Sequence, residues 1–105
     1  MRVRESAVEK RLVVEVGKAG GWALKLSPQF MPGIPDRLVL FQQRCWFIEV
    51  KTKGGRVSKA QAFIHRKLAR VGFPVTIVWS KEDAVEWVHQ NLTRTQENET
   101  NIPPP

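Results

Sequence analysis

Hydrophobic positions along this chain recur with two different periods, and the switches between them mark its elements. Val8, Leu12 and Val16, with Val13 beside them, sit at helical spacing and predict a helix from about Val3 to Val16, ended by Gly17 and the Gly20-Gly21 pair. Trp22 to Leu26 then reads as a strand, and the segment 27–35, studded with Pro28, Pro32, Gly33 and Pro35, reads as a loop. Arg37-Leu38-Val39-Leu40-Phe41 is apolar and β-prone, predicting a strand over 37–42, and Gln42-Gln43-Arg44 is short enough to close a hairpin onto a third strand over 45–51. Ser58 opens a second helix through about Val71, with Ala60, Ile64, Leu68 and Val71 as its apolar stripe and Gly72 and Pro74 as its stop. The nearly continuous β-branched run Val75 to Trp79 predicts a strand covered on both faces and paired inside the sheet. Ser80 or Lys81 begins a last helix to about Asn91, with Glu82, Asp83 and Glu86 near its positive N-terminal end. The order αβββαβα predicts an α/β fold, a mixed sheet flanked by helices.

The third strand carries the chemistry. In Trp46-Phe47-Ile48-Glu49-Val50-Lys51, Trp46, Ile48 and Val50 share one face, while Phe47, Glu49 and Lys51 share the other. Asp36, just after Pro35 at the head of the preceding strand, is placed to join Glu49 and Lys51. Paired carboxylates with a lysine in reach can hold a hard divalent ion, orient water on it and stabilise charge growing on a phosphate. That is the chemistry of a nuclease.

Glu9 and Gln61 each admit two readings. Glu9 lies on one helical facet with Leu12, Val13 and Val16, and a carboxylate beside an apolar stripe must be paired, protonated or metal-linked. Bending to solvent or bridging to Lys10 or Arg11 would serve as well. Ser58-Lys59-Ala60-Gln61 reads as a capping box, in which the glutamine returns a hydrogen bond to the cap backbone. His65 and His89 have no partner at ligand spacing and read as surface histidines. The tryptophans Trp22, Trp46, Trp79 and Trp87 are spread along the chain, a pattern that packing explains better than base stacking.

Composition narrows the partners. The chain has 105 residues, room for one domain, and 42% of them are hydrophobic, as a folded domain requires. Its net charge is +7, and residues 51–70 hold seven Lys and Arg with no acid, a stripe that draws polyanions. Lys25, Ser27, Lys53, Arg56, Ser58 and Lys59 are the candidates for phosphate contact. Cys45 is the only cysteine, so no internal disulfide or zinc cluster is expected, and it reads as a small packing residue. No apolar leader segment or membrane-length run is visible, which predicts a cytoplasmic protein without a membrane partner. From Thr93 the chain turns polar and ends in three prolines, so a domain over 1–92 followed by a disordered tail over 93–105 is expected.

The same residues carry a family resemblance. Pro35-Asp36, twelve intervening residues and Glu49-Val50-Lys51 resemble the signature of the PD-(D/E)XK nuclease superfamily. Gly33-Ile34-Pro35-Asp36-Arg37, Val57-Ser58-Lys59-Ala60-Gln61, and Gly20-Gly21 after a helix bearing Val8-Glu9 narrow the resemblance to its VRR-NUC branch, in the stand-alone form of phages and mobile elements. It spans roughly residues 5 to 90. The resemblance implies a restriction-endonuclease-like αβββαβ core and a Mg2+- or Mn2+-dependent endonuclease that leaves 5′-phosphate and 3′-hydroxyl ends. It implies metal binding by Asp36, Glu49 and the Val50 carbonyl, with Glu9 completing the site, or Glu5 one turn earlier in its stead. It also implies a place for Gln61 near the reacting centre. Lys51 is expected to act electrostatically, because an ordinary lysine is protonated at neutral pH and cannot be a base.

No separate base-reading module is present, so recognition of DNA shape is expected over recognition of sequence. By resemblance the substrate is branched DNA such as a Holliday junction, and the location is the host cytoplasm if a phage encodes the chain. A two-fold homodimer suits paired cuts, with Trp87 and Val88 or Phe30 and Met31 as its contact. The competing classes are a non-catalytic nucleic-acid-binding module and a structural subunit of a larger complex.

Overall fold

The computed structural model describes residues 3–93. The expected tail over 93–105 lies outside the described residues, apart from Thr93. Helix α1 spans Glu5–Lys18, followed by strands β1 (Trp22–Lys25), β2 (Arg37–Phe41) and β3 (Arg44–Val50), helix α2 (Lys59–Arg70), strand β4 (Thr76–Val78) and helix α3 (Lys81–Asn91). The sheet runs in the order β1-β2-β3-β4, with the first three strands antiparallel and β4 parallel to β3. The predicted α/β order αβββαβα is therefore the observed one. A parallel neighbour needs a crossover, and α2 provides it.

The hairpin between β2 and β3 is tighter than the sequence suggests. Arg44 is already paired with Phe41, leaving Gln42 and Gln43 as a two-residue turn in which both have positive φ, 47° and 65°. A twisted hairpin favours that left-handed pair of residues even where glycine is lacking. β4 also departs from expectation: it is an edge strand of the described sheet, and only Val78 of its three residues is buried. The β-branched run reported strand propensity correctly but said nothing about what would cover it.

One face of the sheet is dry. Val39, Phe41, Ile48, Val50 and Val78 meet Val8, Leu12 and Val16 of α1 and Ala84, Trp87 and Val88 of α3 in one cluster. Trp46 packs edge-on against Trp87 with ring centroids 5.6 Å apart. Gly21 brings the chain off α1 closely enough that a Cβ there would press on the Leu40 carbonyl and the Val16 side chain, each at 3.0 Å.

Helix α2 lies on the other side and docks differently. Of its expected stripe, Ile64 is buried, Leu68 is half-buried, and Ala60 and Val71 are exposed. Gly33 of the proline-rich loop has φ +87°, and a Cβ there would collide with the main chain of Ala60 and Gln61. The loop backbone thus rests directly on the first turn of α2, a closeness that only glycine permits.

Candidate active site

The register of the β2–β3 hairpin creates the site. Arg37 pairs with Ile48, and one residue further Asp36 stands opposite Glu49. Pro35, buried, holds the approach to β2, and Asp36 Oδ2 accepts the Val50 main-chain N–H at 2.7 Å. The aspartate therefore clasps the strand that carries its partner acid. Lys51 continues the parallel pairing, its main-chain N–H donating to the Val78 carbonyl at 3.0 Å.

Glu49 and Lys51 are both buried, at 2% and 8% exposure. Their charges are connected through Gln61. Its side-chain amide donates to Glu49 Oε2 at 3.1 Å, while its Oε1 accepts from Lys51 Nζ at 3.0 Å. Lys51 Nζ lies 3.9 Å from Glu49 Oε2. The same Gln61 Oε1 accepts the Ser58 main-chain N–H at 2.9 Å, and the Ser58 hydroxyl accepts from the Gln61 main-chain N–H at 3.1 Å. Both readings of Gln61 hold geometrically: it closes the capping box, and it reaches Glu49 and Lys51.

The other carboxylate oxygen, Glu49 Oε1, is buried without a hydrogen-bond partner. Burial first, then the neighbouring Asp36 carboxyl, push the Glu49 carboxyl up to about 8. Lys51 acts in the opposite sense, and Glu5 adds to the rise. His65 Nε2 faces Glu49 Oε1 at 3.6 Å, too far for a hydrogen bond, and is also buried without a partner. Burial, and after it the Lys51 charge, lower the His65 pKa, which favours the neutral imidazole. The surface role expected for His65 is thus overturned. Gln61 and His65 are four residues apart on one helical face, and that spacing is the signal that would have placed them together.

Glu9 is engaged elsewhere. Its Oε2 accepts from Arg37 Nε at 2.8 Å and lies 3.8 Å from Lys25 Nζ. Arg37, in turn, donates to the Ala23 carbonyl at 3.0 Å. Arg37 and Lys25 belong to the sheet face opposite to that of Glu49, because side chains alternate along each strand. The bridges to Lys10 or Arg11 considered for Glu9 do not form; Arg11 pairs with Glu15 instead, at 3.2 Å. Among the described residues no three His, Cys, Asp or Glu side chains converge as a ready metal-ligand set.

The candidate phosphate contacts are spread around this centre. Lys25, Ser27, Lys53, Arg56, Ser58 and Lys59 are all exposed. Lys25 is paired with Glu9 and Ser58 is occupied as a helix cap, so Lys53, Arg56 and Lys59 are the cations presented to solvent beside the α2 N-terminus. Cys45 is a half-buried free thiol. No described helix is long and apolar enough to cross a membrane.

The chain is similar to a phage protein and to a solved domain structure. A protein named "Putative nuclease p44", from Acyrthosiphon pisum secondary endosymbiont phage 1, is 36% identical over 81 residues, covering 76% of this chain and 87% of the relative. A solved structure described as a VRR_NUC domain superposes with a TM-score of 0.72 at 29% identity, covering 83% of this chain and 95% of that one. No family model matches the sequence.

Proposed function

The chain belongs to the VRR-NUC family of nuclease domains, and from that premise we propose that it hydrolyses DNA phosphodiester bonds with a divalent ion held by Asp36 and Glu49. The observation that carries this reading is Glu49 itself. A carboxylate has been buried opposite a second one, with one oxygen left without a partner, and its proton affinity is raised accordingly. A cation relieves both penalties at once. The small number of ligands suits Mg2+ or Mn2+, since Mg2+ in particular is held by one or two carboxylates and takes the rest of its shell from water and substrate phosphate. The Val50 carbonyl, on the residue whose N–H Asp36 already holds, is the third candidate ligand. Glu9 is better read as the anchor of Arg37 than as a ligand.

Such an ion, when bound, activates water and neutralises charge on the phosphoryl oxygens. The chain's own residues do the rest. Lys51, fixed by Gln61, places an ammonium beside the carboxylates, where negative charge grows on the phosphate as the bond breaks. Gln61 bridges the ammonium and Glu49 Oε2, whose ion pair spans 3.9 Å. Lys53, Arg56 and Lys59 attract the backbone without reading bases.

We further propose branched DNA as the substrate and a homodimer as the active form, because two cuts related by a two-fold axis call for two sites. Trp87 and Val88 are excluded as the dimer contact, being buried in the core, whereas Phe30, 85% exposed, and Met31 stand free in the loop. Cleavage on duplex, flap, single-strand and four-way junction DNA, with and without Mn2+, tests the reading. Metal-dependent cutting with a preference for junctions is expected, and calorimetry should show Mn2+ binding that is strongly weakened in Asp36→Asn and Glu49→Gln. Unchanged metal binding in both variants, or no cleavage of any substrate, would overturn it.

A further inference from the structure

Trp79 follows Val78, whose carbonyl accepts the main-chain N–H of Lys51 at 3.0 Å. Trp79 therefore directly follows the strand that neighbours the one leading into the site lysine. Its backbone is held from the other side as well. The Trp79 N–H donates to Asp83 Oδ2 at 3.0 Å, and Ser80 immediately caps α3. Yet the ring on this fixed backbone is 41% exposed, unlike Trp87, which completes the core.

The indole lines a cavity of about 680 Å³ together with Val3, Thr52, Lys53 and Lys81, with Glu82 adding one acid to the wall. A second cavity of about 640 Å³ shares Val3, Thr52, Lys53 and Gly54 with the first and continues to Arg4 and Glu5. The two cavities thus share a wall formed by Thr52 and Lys53, the two residues that follow the site lysine in the chain.

An aromatic face on a rigid backbone, in a cavity with cations on its wall, suits a single nucleic-acid strand. Any base can stack on the ring, and the lysines follow the phosphates. A purely apolar guest would gain nothing from Lys53 and Lys81, whose side chains would then lose hydration without a partner. We propose that Trp79 is a stacking platform for one unpaired nucleobase of the substrate strand, close to the scissile phosphate, with Lys53 and Lys81 against the flanking phosphates. This rests on the assignment of the nuclease site to Asp36, Glu49 and Lys51.

The experiment uses the full chain and fluorescent DNA with a single-stranded segment, after the cut position has been mapped with Mn2+. Binding is then measured in EDTA while one abasic position is moved nucleotide by nucleotide past the cut. Trp79→Ala should weaken binding of intact DNA roughly tenfold, the lower range for one stacked base, with little change in melting temperature, and Trp79→Phe should recover most of the loss. In the native protein one abasic position near the cut should weaken binding by a similar factor, and in Trp79→Ala that penalty should vanish. Native-like affinity in Trp79→Ala, or an abasic penalty that persists in it, would overturn the stacking role while leaving the nuclease assignment intact. Failure of the native protein to bind or cut any DNA would remove both.

Discussion

The two faces of the sheet are built on opposite principles. The face toward α1 and α3 is closed by aliphatic and aromatic side chains that recur at helical and strand spacing, with Leu12, Val39 and Ile48 fully buried. The face toward α2 buries Glu49 and Lys51 and is closed in part by polar groups, Gln61 and His65. On the first face burial is favourable for each residue separately. On the second it is favourable only for the group together, because each charge would be costly to bury alone. The difference separates a region that stabilises the fold from one that the fold holds in place at a cost, where the proposed site lies.

Substitutions on the two faces should therefore fail in different ways. Leu12→Ala, in the dry core, should lower stability by about 2–5 kcal/mol in urea unfolding, a large share of what a domain this small possesses. The protein that remains folded should still cut DNA at its native rate. A loss of specific activity in that folded fraction would break the separation of the two faces.

Lys51→Ala should strike activity even in the protein that stays folded. Cleavage should fall by about a hundredfold, the scale of one well-placed electrostatic contact to a transition state, while the circular dichroism spectrum and DNA affinity are kept. Should cleavage persist, Lys51 would be no more than the counter-charge of Glu49.

A pair of variants on α2 sharpens the comparison. Ser58→Ala and Gln61→Ala each dismantle the capping box and should each reduce stability by about 1 kcal/mol. Only Gln61→Ala also frees Lys51 and Glu49 Oε2, and it should lower activity about tenfold further, as loss of a group that orients a metal ligand does. Equal activity in the two variants would confine Gln61 to its cap.

A further effect concerns pH. A carboxyl raised in the folded state from 4.5 to about 8 binds its proton more tightly folded than unfolded. Its stabilising contribution is complete below the unfolded value and declines as pH rises through the folded one. The metal-free protein should accordingly become less stable between about pH 4.5 and 8, and Glu49→Gln, which cannot ionise, should flatten that decline. Thermal melts at a series of pH values, with and without EDTA, measure it, and an identical slope in the variant would mean that Glu49 is not the group responsible.

Local pattern made the elements of this chain legible, because helical and strand periodicity depend on neighbours three, four or two residues away. The αβββαβα order and the shared strand face of Glu49 and Lys51 were both within its reach, and so was the opposition of Asp36 to Glu49 once a short hairpin was assumed. The family was legible too, through the order of Gly33, Asp36, Glu49, Lys51 and Gln61. Tertiary packing alone decided what covers what. Periodicity names an apolar stripe but not its partner, so β4 emerged as an edge strand, and Ala60 and Val71 remained in solvent. Charge pairing between elements distant in the chain was equally out of reach. Glu9 could be seen to need a counter-charge, but only the register of β1 with β2 brings Lys25 and Arg37 to it. The place of His65 opposite Glu49 was likewise decided by the docking of α2, since an ion pair or a buried contact is set by three-dimensional distance and leaves no period in the sequence.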